Sequence, residues 1–205
     1  PGTTALSRGD WAAACSDIMA QPSYVNVGAQ ASYDMSTGIL TVNTETYYTA
    51  NSSDVNVLHI AVVENNVPGP QSGAQNYNPG AIISGPWSPT YNHQHMFRHL
   101  MDGVAGIEML STTAGSFAPN THTWQMPANL SSGQSTTGYF PDLDPTNMDI
   151  VAYIVATGSG EIITGVQEEV VCIFPNAYDA NVTASSAADV MCANETDIEI
   201  TFRNY

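Results

Sequence analysis

Apolar and polar side chains alternate with a period of two along several segments of this sequence, as expected of strands that bury one face. Within residues 38–49, for example, Leu40, Val42 and Tyr48 fall on one face together with two threonines. Residues 55–64 are instead apolar at nearly every position, which predicts a central strand covered on both faces. Strands therefore dominate the chain.

Turn residues join these strands into hairpins. Asp34–Gly38 supplies turn chemistry after the strand predicted at 24–30. Gly158-Ser159-Gly160 separates the strands predicted at 148–157 and 161–174, which form the clearest hairpin of the sequence.

One segment, residues 10–20, has the pattern of a helix, with Asp10 as its N-cap and Pro22 beyond its end. The sequence thus predicts an all-β fold, a β-sandwich of the jelly-roll or Ig-like type with one short N-terminal helix. We expect three parts: residues 1–22 with the helix, the sandwich at 23–178, and a linker with a first strand of another module at 179–205.

The charge balance excludes some partners. The chain carries 3 basic and 19 acidic residues, for a formal net charge of −16. Nucleic-acid binding requires clustered Lys and Arg, so we predict no nucleic-acid partner. No apolar run approaches the roughly 20 residues of a membrane-spanning helix, so we also predict no transmembrane segment.

Residues 65–90 carry five Pro and four Gly and no clear strand or helix pattern. Structureless loops longer than about 12–15 residues are uncommon in compact domains, so we expect a functional or ligand-facing loop. Trp87 lies within it between two prolines, and an exposed Trp would offer a stacking surface for a sugar. A carbohydrate-binding sandwich is therefore one hypothesis.

Histidines cluster after this loop. If residues 91–99 form one strand, its period of two places the following side chains on one face: Tyr91, His93, His95, Phe97 and His99. His93 and His95 would then share a metal such as zinc or copper, with His99 or His122 completing the site. The alternative is that the imidazoles support the loop by hydrogen bonding.

A second candidate cation site lies at residues 142–149. Asp142, Asp144, Asn147 and Asp149 supply the oxygen ligands that calcium prefers, although the segment lacks the central Gly and the final Glu of an EF-hand. The alternative for this segment is a plain Asx-turn.

Three cysteines are present. Cys172 and Cys192 flank a short polar segment and would form a disulfide in an oxidising compartment, or remain buried free thiols. Cys15 lies among small residues of the predicted helix, where we expect a packed thiol.

The sequence offers no convincing catalytic motif. It contains no Gly-x-Ser-x-Gly elbow and no Lys, and Glu168 and Glu169 point to opposite faces of their strand. We therefore expect a non-catalytic protein.

The segments Val57–Gln71 and Tyr91–Arg98, the latter with a Tyr-x-His-x-His-x-x-Arg pattern, resemble the family of twenty-eight-kilodalton outer-membrane proteins of Bacteroidetes-type bacteria. The resemblance covers roughly residues 23–175. It implies a β-rich domain that follows a thioredoxin-like domain, so residues 1–22 would be the tail of such a domain or a linker helix. It also implies an extracellular or outer-membrane-associated location, with export by the type IX system.

These observations lead to one functional expectation. The chain is a structural or adhesive module of a larger secreted or cell-surface protein, in which Tyr91, His93, His95 and Arg98 fix the long loop from beneath. Arg98 would pair with a carboxylate. Its partners would be neighbouring domains of the same chain or copies in a surface assembly, and metal binding is the alternative function.

Overall fold

The computed structural model describes residues 6–127, 142–175, 180–185 and 200–204. It contains thirteen strands among these residues: β1 (Val25–Asp34), β2 (Ile39–Tyr48), β3 (Asn56–Glu64), β4 (Val67–Pro70), β5 (Ile82–Ile83), β6 (Thr90–His93), β7 (Met96–Leu100), β8 (Ile107–Glu108), β9 (Phe117–Gln125), β10 (Met148–Ala156), β11 (Glu161–Ile173), β12 (Ala180–Ser185) and β13 (Ile200–Asn204). Two α-helices are described, α1 (Trp11–Met19) and α2 (Ala74–Tyr77), with short 3-10 turns at Arg8–Asp10, Pro79–Ala81 and Pro145–Asn147.

The main sheet has the order β7-β3-β10-β11-β1-β2-β9, with β8 also paired to β3. Its described neighbours run antiparallel except β1 and β11, which are parallel. Strand β11 joins the two halves of the sheet, because Glu161–Glu169 pair with β10 and Val170–Ile173 pair with β1. The sheet is curled, and side chains from both halves meet in one core.

That core contains apolar side chains from β2 and β3 that are fully buried, among them Leu40, Val42, Leu58 and Ile60. At about 25 cal/mol per Å² of apolar surface removed from water, this shared interior supplies the main stabilisation of the fold. The prediction of an all-β, sandwich-like architecture with one short N-terminal helix is confirmed.

The predicted hairpins are present, and the turn residues explain the first of them. Asp34 Oδ1 accepts hydrogen bonds from the backbone of Ser36 (2.8 Å) and Thr37 (3.3 Å), and Gly38 adopts the left-handed conformation with φ +72°. Strand β3 lies between β7 and β10, and eight of its nine residues are buried, as predicted for a central strand.

Residues 65–90 differ from the expectation of a structureless loop. They contain β4, α2 and β5, and β4 and β5 pair on either side of β6 in a three-stranded sheet. We call residues 67–93 the arm. Three of the four residues of β4 are Pro or Gly, so this strand forms through pairing with β6 rather than through its own propensity.

The expectation of one continuous strand at 91–99 is wrong. Strand β6 ends at His93 and β7 begins at Met96, and His95 between them has φ +51°. The period-two face proposed for the histidines is therefore interrupted. Gln94-His95 lie opposite Asn65-Asn66, because Glu64 pairs with Met96 on one side and Val67 with His93 on the other.

The helix predicted at the N-terminus is confirmed as α1, but none of its residues is buried. Cys15 is exposed, so the expected packed thiol is wrong. Strands β12 and β13 pair with each other, within the segment predicted as a linker and a first strand of another module. None of the helices in the described ranges is long and apolar enough to cross a membrane.

Candidate functional site

One residue of the predicted zinc or copper site, His95, and two of the predicted calcium site, Asn147 and Asp149, lie in one polar network at the base of the arm. Strand β3 ends at Glu64, and Asn65-Asn66 lead from the main sheet into the arm. Gln94-His95 lead from the arm back into the main sheet. The start of β10 and the turn before it lie next to these two connections, because Met148 pairs with Glu64. The following residues form hydrogen bonds with one another at the base of the arm, and we call them the amide clasp: Asn65, Asn66, Asn92, Gln94, His95, Asn147, Asp149 and Gln167.

Asp149 anchors the clasp on the main sheet. The residue is 6% exposed, and its Oδ2 accepts hydrogen bonds from Asn65 Nδ2 at 2.8 Å and Gln167 Nε2 at 2.9 Å. A buried carboxylate needs such donors to offset its lost hydration. Asp149 is thereby bound by protein groups from β11 and from the β3–β4 connection.

Asn66 anchors the clasp on the arm. It has φ +59°, a conformation that Asn tolerates better than most residues. Its Oδ1 accepts from Asn92 Nδ2 and Gln94 Nε2, both at 3.1 Å, and its Nδ2 donates to Asn147 Oδ1 at 3.1 Å. One amide thus links the connection between β3 and β4 to β6, to the following turn and to the turn before β10.

His95 is held at both its backbone and its ring. Its backbone N–H donates to Asn65 Oδ1 at 2.9 Å, and its Nε2 lies 3.1 Å from Nε2 of Gln167. Because an amide nitrogen donates, Nε2 of the imidazole accepts, and this contact requires the neutral ring with its proton on Nδ1. The left-handed backbone of His95 is fixed by these partners.

A buried ion pair lies beside the clasp. Arg98 Nε is 3.2 Å from Glu64 Oε2, and the two side chains are 6% and 4% exposed. Glu64 Oε1 accepts from the backbone N–H of Asp144 at 3.2 Å. Burial raises the pKa of Glu64, while Arg98 and the Asp144 N–H act in the opposite direction and do not fully compensate. Glu64 is the carboxylate partner expected for Arg98.

The residues of the predicted calcium site are placed as follows. Asp144 caps the 3-10 turn, with its Oδ1 accepting from the backbone of Thr146 at 3.0 Å and its Oδ2 from Asn147 Nδ2 at 2.8 Å. This is the Asx-turn geometry that was the alternative for the segment. Asp142 is exposed, and Asp149 belongs to the amide clasp.

The predicted zinc or copper ligands occupy separate surroundings. His93 packs edge-on against Tyr91 in the arm, with ring centroids 4.9 Å apart. His95 belongs to the clasp. His99 and His122 lie where β7 and β9 approach each other.

At that seam the His99 ring stacks on Trp124, with centroids 4.0 Å apart and planes 11° apart. His122 Nε2 lies 3.1 Å from Thr44 Oγ1, and its Nδ1 lies 3.6 Å from Asp102 Oδ2. Burial lowers the pKa of His99, and Asp102 opposes this shift. The seam joins the two halves of the curled sheet.

Within residues 6–127 and 142–175, no group of three or more His, Cys, Asp or Glu side chains is arranged to hold a metal ion. Metal and calcium binding remain predictions. Cys172 is a half-buried free thiol, and burial raises its pKa. Its predicted disulfide partner Cys192 lies outside the described residues, so that pairing stays a prediction.

The sequence reasoning did not predict five residues of the clasp: Asn65, Asn66, Asn92, Gln94 and Gln167. The first two carry a weak signal, since an Asn-Asn pair directly follows a fully apolar strand, where turn residues are expected. Gln167 carries none, because it faces the clasp only through the register of β10 and β11.

Comparison with solved structures gives several matches. The chain is similar to a domain of the outer membrane lipoprotein Omp28 from Porphyromonas gingivalis, with a TM-score of 0.45 and 16% sequence identity, over 74% of this chain and 92% of that one. No protein-family model and no curated protein matches the chain.

Proposed function

We propose that this chain is a non-catalytic structural module of a larger secreted or cell-surface protein, in which the amide clasp holds the arm in a fixed position on the sandwich. One observation carries the proposal. The predicted ligands that lie at the base of the arm, His95, Asp144, Asn147 and Asp149, direct polar atoms to other protein groups. Contacts of this kind, between one protein group and another, suit a structural role.

One polar series in the seam is not arranged for catalysis. Thr44, His122 and Asp102 form a hydroxyl–imidazole–carboxylate series, which is the order of groups in a nucleophilic triad. Thr44 is 1% exposed, however, and the distance from His122 to Asp102 exceeds a hydrogen bond. A substrate would not reach this hydroxyl, so the series acts as a buried polar contact.

The surface location and export by the type IX system rest on the sequence resemblance carried by Tyr91, His93, His95 and Arg98. The composition agrees with an extracellular setting, because only 11% of residues are charged. Adhesion would be the contribution of the whole protein, with this module positioning the arm.

The test is elemental analysis of the native chain, followed by thermal unfolding with and without EDTA. A structural clasp predicts an unchanged melting temperature in EDTA. It also predicts that Asn65→Ala, which removes the bonds to Asp149 and His95, costs about 1–3 kcal/mol and lowers the melting temperature by roughly 2–12 °C at about 2–4 °C per kcal/mol.

Asn26→Ala is the matched control, because Asn26 is exposed on β1. It should change stability by less than about 0.5 kcal/mol. Stoichiometric metal whose removal lowers the melting temperature would contradict the proposal and support the alternative of a metal-binding module.

A further inference from the structure

The arm differs in charge from the rest of the molecule. No Asp, Glu, Lys or Arg occurs from Asn65 to Phe97, although the chain as a whole carries a net charge of −16. This segment contains amides, aromatic residues, Pro and Gly, with two histidines as its only titratable groups besides tyrosine. The arm is therefore a neutral surface on an acidic protein.

The tip of the arm exposes an aromatic ring. Tyr77, at the end of α2, is 82% exposed, which is unusual for so large a side chain. Gly73 has φ +76°, and a Cβ at this position would lie 3.4 Å from Tyr77 Cε2. The ring thus lies along the Gly73 backbone and leaves its other side open to solvent. Ala74, 4% exposed, anchors the start of the helix.

Amide side chains are the sequence neighbours of this ring. Gln75, Asn76 and Asn78 flank Tyr77 in the sequence and are all exposed. Asn78 Nδ2 donates to the Tyr91 hydroxyl at 2.9 Å, which ties the tip to β6 and leaves the Asn78 carbonyl as an acceptor. The tip therefore exposes an aromatic ring on a short segment that also exposes amide groups.

Trp87, the aromatic residue that the sequence favoured, is placed differently. It is half-buried, its backbone N–H donates to Thr90 Oγ1 at 3.1 Å, and that hydroxyl donates to the Trp87 carbonyl at 3.0 Å. These bonds make Trp87 part of the turn before β6. The exposed stacking surface is Tyr77.

The clasp holds the arm before any ligand arrives. Asn66 bonds both to Asn92 in the arm and to Asn147 in the turn before β10, and so connects the arm to the main body. A surface ordered in advance loses less conformational entropy on binding. This favours recognition by a few weak contacts.

We propose that the tip of the arm, residues 73–78, is a binding site for a neutral polysaccharide, with Tyr77 stacked on a sugar ring and exposed amides of the same segment pairing with its hydroxyls. The apolar face of a sugar packs on an aromatic ring, and its hydroxyls pair with amide oxygens and nitrogens. Nothing on the arm attracts an anionic polymer, and the acidic remainder of the chain repels one. Neutral glycan is the chemistry that fits both facts.

The experiment is affinity electrophoresis of the whole chain at about pH 8. The gels contain soluble neutral polysaccharides (dextran, mixed-linkage β-glucan, galactomannan, xyloglucan) or anionic polygalacturonate. We expect retardation by at least one neutral polymer and none by polygalacturonate. Isothermal titration with the retarding polymer should show an affinity unchanged between about 50 and 500 mM NaCl, since no charges take part.

Tyr77→Ala should weaken binding at least tenfold, and Tyr77→Phe should retain most of it. Tyr47→Ala is the control, because Tyr47 is also an exposed tyrosine, 46% exposed, and lies on β2 outside the arm. Each variant is checked by its melting temperature.

Three binding results would overturn the proposal. They are the absence of retardation by every neutral polymer, an equal loss of binding in Tyr47→Ala and Tyr77→Ala, and retardation by polygalacturonate alone. Self-association of the wild-type chain in light scattering that Tyr77→Ala abolishes would show that the tip is covered by a second copy instead, and would equally overturn it.

Discussion

Replacing Arg98 with methionine removes the cation that faces the buried Glu64 carboxylate. The two side chains are 6% and 4% exposed, with Arg98 Nε 3.2 Å from Glu64 Oε2. Removing one partner of a buried ion pair costs about 3–5 kcal/mol, because the remaining charge stays desolvated. At about 2–4 °C per kcal/mol for a domain of this size, the melting temperature should fall by roughly 6–20 °C. Urea unfolding followed by tryptophan fluorescence measures the free energy directly.

The stability lost in Arg98→Met should depend on pH, and the direction of this dependence follows from the pKa of Glu64. Burial raises the pKa of Glu64 above its ordinary value, and Arg98 opposes that shift. A group with a raised pKa in the folded state contributes stability that is fully present below its unfolded pKa and is lost as the pH rises through the folded pKa. Without Arg98 the folded pKa rises further, so Arg98→Met should cost less at pH 5 than at pH 7.5.

The double variant Glu64→Gln/Arg98→Met separates charge from packing. It leaves no buried carboxylate, so it should be more stable at pH 7.5 than Arg98→Met alone. A cost below about 1 kcal/mol for Arg98→Met, or an equal cost at both pH values, would refute the view that Arg98 compensates a desolvated Glu64.

Three further substitutions test the packing around β3 and the seam. A Cβ on Gly106, which has φ +63°, would lie 2.5 Å from Val57 Cγ1 and 2.7 Å from His59 Cε1. Gly106→Ala should therefore lower the free energy of unfolding, measured in urea, by about 2–5 kcal/mol, because overpacking and left-handed strain act together. Gly115 is the control, because it has φ +86° and open space around it. Gly115→Ala should lower the free energy of unfolding by only about 1–2 kcal/mol. Equal losses in Gly106→Ala and Gly115→Ala would contradict the close packing at Gly106. Because burial lowers the pKa of His99, its contribution to stability is present above the unfolded pKa and is lost as the pH falls through the folded pKa. Denaturation between pH 7.5 and pH 5 should therefore show a smaller loss of stability for His99→Gln than for the wild type, and identical profiles would exclude a role for His99.

Much of the fold could be predicted because its signals are local. The alternation in β2, the apolar β3 and the turn at Gly38 each depend on a few consecutive residues. Strands β4 and β5 could not be predicted in this way. They are short, and they exist because β6 lies between them, a pairing that no local pattern encodes.

The candidate site was predicted in its parts but not in its assembly. His95 and Asp149 were both singled out, yet nothing in the sequence shows that Gln167 donates to both. That contact depends on the register of β10 and β11 and on the turn at His95. A left-handed turn at a residue other than glycine has no clear sequence signal, which is why residues 91–99 were expected to form one strand.

The parallel pairing of β1 and β11 determines how this domain would respond to tension. The polypeptide enters the main sheet at Val25 and leaves it at Ile173, and strands running the same way place these two points at opposite ends. A pull on both would load the hydrogen bonds between Ala31–Asp34 and Val170–Ile173 in shear, all at once, whereas an antiparallel hairpin pulled at its open end would lose its bonds one at a time. Joined in series with other domains, this one would resist stretching along its strands.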